Sequence, residues 1–198
     1  MTRCLVCLLL VSQLMACAST SIIKTEESSL PTLHNAEKVL AINEWRLLGR
    51  LSVRNMRQSW FTTLEWNHRK GIDDLTLSTS LGGVVAKILY SKQGILLTDE
   101  EGVLQHVSEE ELASLLGYSA PLKHMKYWVR GVLSPEFQGP SSREYLDDTV
   151  LFEQGGWNVQ LERFQTYGEV VLPARVTLIK EDLKIKLVVD KWWMEKER

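Results

Sequence analysis

The sequence predicts a mainly β, α+β domain: one long antiparallel sheet that curls into a barrel or half-barrel, with helices covering its open side. Three observations lead there. From residue 47 onward, apolar residues alternate with polar ones in short runs, the pattern of strands with one buried face. The runs are separated by only a few turn residues, as in an antiparallel meander. Two helical patterns interrupt the series in its middle and another precedes it, with no internal repeat or domain boundary.

The chain opens with a short positive segment, Met1 to Arg3, followed by a mostly apolar stretch from Cys4 to Met15. That is the layout of a secretory leader. It closes on Leu14-Met15-Ala16-Cys17, which resembles the lipobox of bacterial lipoproteins, where the cysteine is acylated and becomes the first residue. Residues 1–16 are therefore expected to be a signal peptide, and Cys17 to carry N-acyl and S-diacylglycerol groups. A spanning helix over residues 4–23 is the rival reading. It would have to bury Ser12, Gln13, Ser19, Thr20 and Ser21, whereas a spanning helix needs about 20 predominantly apolar residues. By resemblance to lipoprotein sorting rules, Ala18 in place of Asp favours the outer membrane. The three cysteines lie at positions 4, 7 and 17, so a mature chain has none left for a disulfide or a thiolate metal site.

Residues 17–31 are rich in Ser, Thr and Glu and read as an acylated tether, leaving 32–198 as the single domain. Thr32 to Trp45 reads as a helix with Leu33, Ala36, Val39 and Leu40 on one face. Strands are expected at Leu47–Arg54 and Trp60–Trp66, then at Leu75–Thr79 after a turn spanning Asn67–Asp74, then at Val84–Tyr90 and Ile95–Leu97. Ser108 and Glu111 form a capping box for a helix whose stripe is Leu112, Leu115 and Leu116, closed by Gly117. The run Glu109-Glu110-Glu111 suits the positive end of that helix and reads as a solvated first turn, not as catalytic carboxylates. Pro121 opens a second helix with Leu122, Met125, Trp128 and Val129 on a face, ended by Gly131. Gly131–Thr149 reads as a loop region. Strands resume at Val150–Glu153, Trp157–Leu161, Ala174–Leu178 and Leu183–Val189.

Composition excludes several classes. Net charge is −2, or −3 without Arg3, and no basic cluster marks a nucleic-acid partner. There is no G-x-S-x-G, H-E-x-x-H, P-loop or C-x-x-C motif. The four histidines, at 34, 68, 106 and 124, are scattered and read as surface residues. Asp73-Asp74 and Asp147-Asp148 fit turns, and Gly155-Gly156 a hairpin. The expectation is a protein that is not an enzyme. Seven tryptophans in so small a domain point to large apolar walls, filling a core or lining a cavity. Period-two strands place Leu51, Val53, Leu64, Trp66, Leu77, Ile88, Val176, Leu178, Ile185 and Leu187 on one face, the candidate lining.

Several motifs in order carry a resemblance over nearly the whole chain. After the lipobox and first helix come Trp45-Arg46-Leu47-Leu48-Gly49-Arg50-Leu51-Ser52-Val53, Phe61 to Trp66, and Ser80-Leu81-Gly82. Pro121-Leu122, Trp128-Val129-Arg130-Gly131, Ile185-Lys186-Leu187 and Trp192 follow. The chain resembles LolB, a family of outer-membrane lipoprotein receptors of Gram-negative bacteria. The resemblance implies an incomplete antiparallel β-barrel enclosing a hydrophobic cavity and covered by a helical lid, without nucleotide, metal or other cofactor. It implies a monomer, anchored in the outer membrane and facing the periplasm. Its partners would be a LolA-type carrier and lipoprotein cargo, whose acyl chains the lining residues would hold. A protruding family loop with an exposed leucine, usually Pro-Leu-Gly, corresponds to Ser80-Leu81-Gly82, which gives Leu81 the membrane-insertion role. A lipid-anchored structural or assembly-accessory protein without a cargo cavity is the alternative; a cavity of several hundred Å³ would argue against it.

Overall fold

The computed structural model describes residues 33–137, 139 and 143–194. The expected signal peptide, Cys17 and the tether fall outside the described residues. In chain order the elements are α1 (Leu33–Leu40), β1 (Trp45–Arg54), β2 (Ser59–Arg69), β3 (Ile72–Ser78), β4 (Val84–Ser91), β5 (Gly94–Thr98) and β6 (Leu104–Val107). Then come α2 (Glu109–Leu116), α3 (Leu122–Trp128), β7 (Arg143–Leu146), β8 (Thr149–Gln154), β9 (Trp157–Tyr167), β10 (Val170–Lys180) and β11 (Leu183–Met194).

All eleven strands form one sheet in the order β6-β5-β4-β3-β2-β1-β11-β10-β9-β8-β7, and every neighbouring pair is antiparallel. The first and last strands of that order do not pair, so the sheet curls without closing. The helical insertion joins those two edges, since α2 and α3 lie between β6 and β7 in the chain. A sheet of this width exposes one apolar face unless something covers it, and the insertion is placed to do so.

The alternation selects the inner face. In β1 the odd residues from Trp45 to Val53 are buried, and their β2 partners Trp66 and Leu64 are buried too. Between Leu48 and Gly49 the β1–β11 register shifts by one residue, with Asp190 as the extra position. The shift moves the inward parity of β11 from Val189 to Trp192. Gly49 sits at that point because a Cβ there would stand 2.6 Å from the Val188 carbonyl oxygen.

Several expectations need correction. Helix α1 ends at Leu40, not Trp45, because Trp45 is already the first residue of β1, paired with Met194 and His68. The segment Asn67–Asp74 is mostly strand: β2 and β3 run on to a two-residue turn at Lys70–Gly71. Asp73 is therefore buried, not in a turn, and His68 opposite it is largely covered instead of lying on the surface. Thr79 belongs to the β3–β4 turn, not to the strand. Strands β6 and β7 fall where no strand was expected; both are four-residue, largely exposed edges.

Candidate functional site

The ten residues of the predicted lining are all buried, on strands β1, β2, β3, β4, β10 and β11. Five of them, Leu51, Leu64, Leu77, Ile88 and Ile185, border free space beneath the helices. Val53, Trp66, Val176, Leu178 and Leu187 lie elsewhere in the same core. The other walls are Leu75 from β3 and Leu116, Tyr118, Ala120, Leu122 and Met125 from the insertion. Leu116, Leu122 and Met125 lie on the apolar stripes of their helices. Tyr118 and Ala120 are in the α2–α3 linker and carry no periodic signal. The free space amounts to about 30 Å³, a volume for one or two waters and not for an acyl chain. The several-hundred-Å³ cavity expected here is thus replaced by a packed lid. A larger recess of about 580 Å³ opens at the opposite end, near Trp45, Arg46, His68, Leu89 and Trp193; it includes none of the ten.

The lid is fixed unevenly. The capping box holds α2 together: Glu111 N–H donates to Ser108 Oγ at 3.1 Å, and Ser108 N–H to Glu111 Oε2 at 2.8 Å. Of its expected stripe only Leu112 is fully buried, and Leu115 is 59% exposed, pointing off the sheet. By contrast, α3 is latched at depth. Trp128 Nε1 donates to Gln154 Oε1 at 2.8 Å, and Gln154 also accepts from Ser134 N–H and donates to its carbonyl. Arg130, just past α3, is buried and has no carboxylate partner among the described residues. It donates through Nη1 to the Val39 and Ile42 carbonyls at 3.0 and 3.1 Å, and through Nε to Lys126 O at 2.9 Å. Its guanidinium also lies over the rings of Trp45 and Tyr127. Burial pulls Arg130 down to about 10, so it stays charged at neutral pH. Burial raises the Tyr118 hydroxyl to about 12, which keeps the linker neutral under the lid.

Neither Arg130 nor Gln154 was singled out by sequence; a lone arginine within Trp128–Gly131 was the only signal. Arg130→Met is expected to leave the part-buried Ile42 and Lys126 carbonyls without this donor, while Val39 O keeps the Ile42 N–H, and to cost about 1–3 kcal/mol, read as a lower urea midpoint with an unchanged slope.

Beneath this latch, Asp73 Oδ1 accepts from Trp66 Nε1 at 2.9 Å and lies 2.7 Å from His68 Nδ1. Trp45 stacks on His68 and meets Trp66 and Trp192 at ring-centroid distances of 5.3 and 5.5 Å. Among the described residues, no group of three or more His, Cys, Asp or Glu side chains is arranged to hold a metal, and no helix is long and apolar enough to cross a membrane.

Leu81 stands at the other end, 97% exposed, in the turn between β3 and β4. Gly82 N–H donates to Thr79 O at 3.0 Å, Thr79 N–H to Gly83 O at 2.8 Å, and Gly83 N–H to Thr79 Oγ1 at 3.1 Å. Gly82 has φ +88°, the left-handed value that three-residue hairpin loops require after their turn. Ser80 and Gly82 flank Leu81 and are exposed with it. The loop is thus pinned by hydrogen bonds without the proline of the family pattern.

The outer-membrane lipoprotein LolB family model matches residues 43–192, from the start of β1 almost to the end of β11. The chain belongs to the LolB family. A LolB of Nitrosomonas europaea is 32% identical over 90% of this chain and 87% of its own. A LolB of Pseudomonas aeruginosa is 28% identical over 79% of this chain and 77% of its own. The fold also resembles the crystal structure of a LolA superfamily protein from Nitrosomonas europaea. That likeness has a TM-score of 0.50 and 8% identity, covering 85% of this chain and 96% of that one. In this chain the half-barrel, the lid and the exposed β3–β4 leucine occur together in one domain.

Proposed function

We propose that this protein is a receptor anchored in the outer membrane through acylated Cys17 and facing the periplasm. As a monomer it takes lipoproteins from a soluble LolA-type carrier, holds their acyl chains against the inner face of the half-barrel, and passes them into the membrane at the Leu81 loop. No reaction and no cofactor are involved. The observation that carries the reading is the continuous apolar inner face roofed by a two-helix lid, in a chain of the LolB family.

With only about 30 Å³ free, the lid must move before a chain enters. The uneven latching supports one motion: α3 stays held by Gln154 and Arg130, while α2, tied to the sheet among the described residues by the single exposed Tyr90–Glu109 bond, swings away with the linker through Ala120. Exposed apolar surface costs about 25 cal/mol per Å², so acyl chains replacing the underside of α2 offset most of the cost of opening. The packed interior favours one rival, a lipid-anchored accessory protein whose inner face is simply a core. A fluorescent fatty acid separates the two. Receptor function predicts saturable binding with quenching of tryptophan emission, and binding about tenfold tighter in Tyr118→Ala, which removes lid volume without touching the strands. No saturable binding by either form would favour the filled core.

A further inference from the structure

At the end of the barrel that carries Leu81, the outer face of the sheet holds two more exposed apolar side chains and an unbalanced set of cations. Phe61 on β2 is 79% exposed and Met56, in the β1–β2 turn, is 87% exposed. Across the sheet, Phe61 pairs with Ser52, and Ser52 with Lys186. One step nearer the turns, Arg54 of β1 pairs directly with Lys184 of β11. Arg57 follows in the β1–β2 turn.

Like charges directly opposite one another destabilise a sheet. On the same face, Arg50 is neutralised: its Nε and Nη2 donate to the two carboxylate oxygens of Asp190 at 3.1 and 2.9 Å. Arg54, Arg57, Lys184 and Lys186 make no ion pair among the described residues. The acids at this corner are Glu181 and Asp182 of the β10–β11 turn, and Asp182 is within 3.5 Å of the Met56 N–H. The next acidic cluster, Asp99 to Glu101, lies in the β5–β6 turn, three strands away from β2. A repulsive pair kept on a sheet, beside two exposed apolar side chains, answers to nothing inside the fold.

We infer that the outer face of β11-β1-β2, with Phe61 and Met56, is a second membrane contact that binds anionic phospholipid headgroups. It rests on the reading of Leu81 as a membrane-facing loop, because both lie at the same end of the strands. Phosphates would neutralise Arg54 and Lys184 together, and the two apolar side chains would enter the interface beside them. The patch would set the tilt of the domain about the inserted loop, with the central strands β11-β1-β2 toward the bilayer.

The test uses a chain starting at Ala18, which keeps every core residue named above and is checked for folding by its urea transition. Its sedimentation is measured with phosphatidylcholine vesicles that lack or contain phosphatidylglycerol. The wild type is expected to prefer anionic vesicles, and added salt to weaken that preference. A basic residue close to such a surface is worth about fivefold in partitioning, so Arg54→Gln with Lys184→Gln should lose about 25-fold. The same double variant should be at least as stable as wild type, because the repulsive pair is gone. Phe61→Ser should weaken binding to both kinds of vesicle. Equal binding of the wild type to both kinds, or a double variant binding like wild type, would overturn the inference; an acidic protein partner would give the second result. Leu81→Glu is expected to bind both kinds of vesicle more weakly while keeping the anionic preference; unchanged binding by Leu81→Glu would overturn the loop reading alone.

Discussion

Cys17→Ser, exported behind an ordinary cleavable leader, is expected to move the protein from almost wholly membrane-bound to almost wholly soluble while leaving the domain folded. The leader ending in Leu14-Met15-Ala16-Cys17 motivates it. Each buried CH₂ of an acyl chain contributes about 0.8 kcal/mol; one chain holds marginally and several hold permanently. No helix among the described residues offers a second way across the bilayer. Every core residue named above lies at Val39 or later, so the fold does not depend on the anchor. Fractionation with a high-salt wash checks this, and a variant that remains in the membrane pellet would show that something other than lipid holds it.

Leu81→Glu is expected to slow delivery of lipoprotein into liposomes by about tenfold or more, with uptake from the carrier unchanged. The side chain is almost fully exposed on a loop pinned by three backbone-directed hydrogen bonds. It contributes nothing to packing, and the substitution costs the fold little. Moving a leucine into hydrocarbon is worth about 1.5–3 kcal/mol, and a carboxylate there is opposed. The free space beneath the lid does not include residue 81, so acyl binding should survive. Measuring transfer to the variant and then incorporation into liposomes separates the steps; wild-type rates in both would make Leu81 an ordinary turn residue.

What could be read from sequence follows which surfaces are wet. β1 to β5 showed themselves because one face meets solvent, so the alternation of Leu47, Leu51 and Val53 with Arg50 and Arg54 is clean. The ten inner-face residues were legible for the same reason. Where polar groups turn inward the signal inverts: His68 and Trp66 both pair with Asp73 Oδ1 inside the barrel, so their segment looked like a turn. Strand β7, Arg143–Leu146, is an exposed edge with no burial pattern to detect. Strand β10 begins at Val170, ahead of the expected Ala174, and carries Pro173 within it. The ladder between β10 and β11 begins only at Arg175, so the missing N–H interrupts no bond to β11. The size of the free space could not be read at all, because periodicity assigns residues to a face but says nothing of how tightly helices fill it. Arg130 escaped for a related reason: its partners are backbone carbonyls, two of them on a distant segment, which leave no mark in a sequence.

The most direct test of acyl-chain reception is handover of a labelled lipoprotein from a LolA-type carrier to the purified domain. Carrier–cargo complex is mixed with the chain starting at Ala18, and the label is followed by co-purification. The expected result is stoichiometric movement of cargo onto the domain, lost when α2 is covalently tied to the sheet and retained in Leu81→Glu. Cargo remaining on the carrier, with the untied domain folded and in excess, would contradict reception of acyl chains by the inner face.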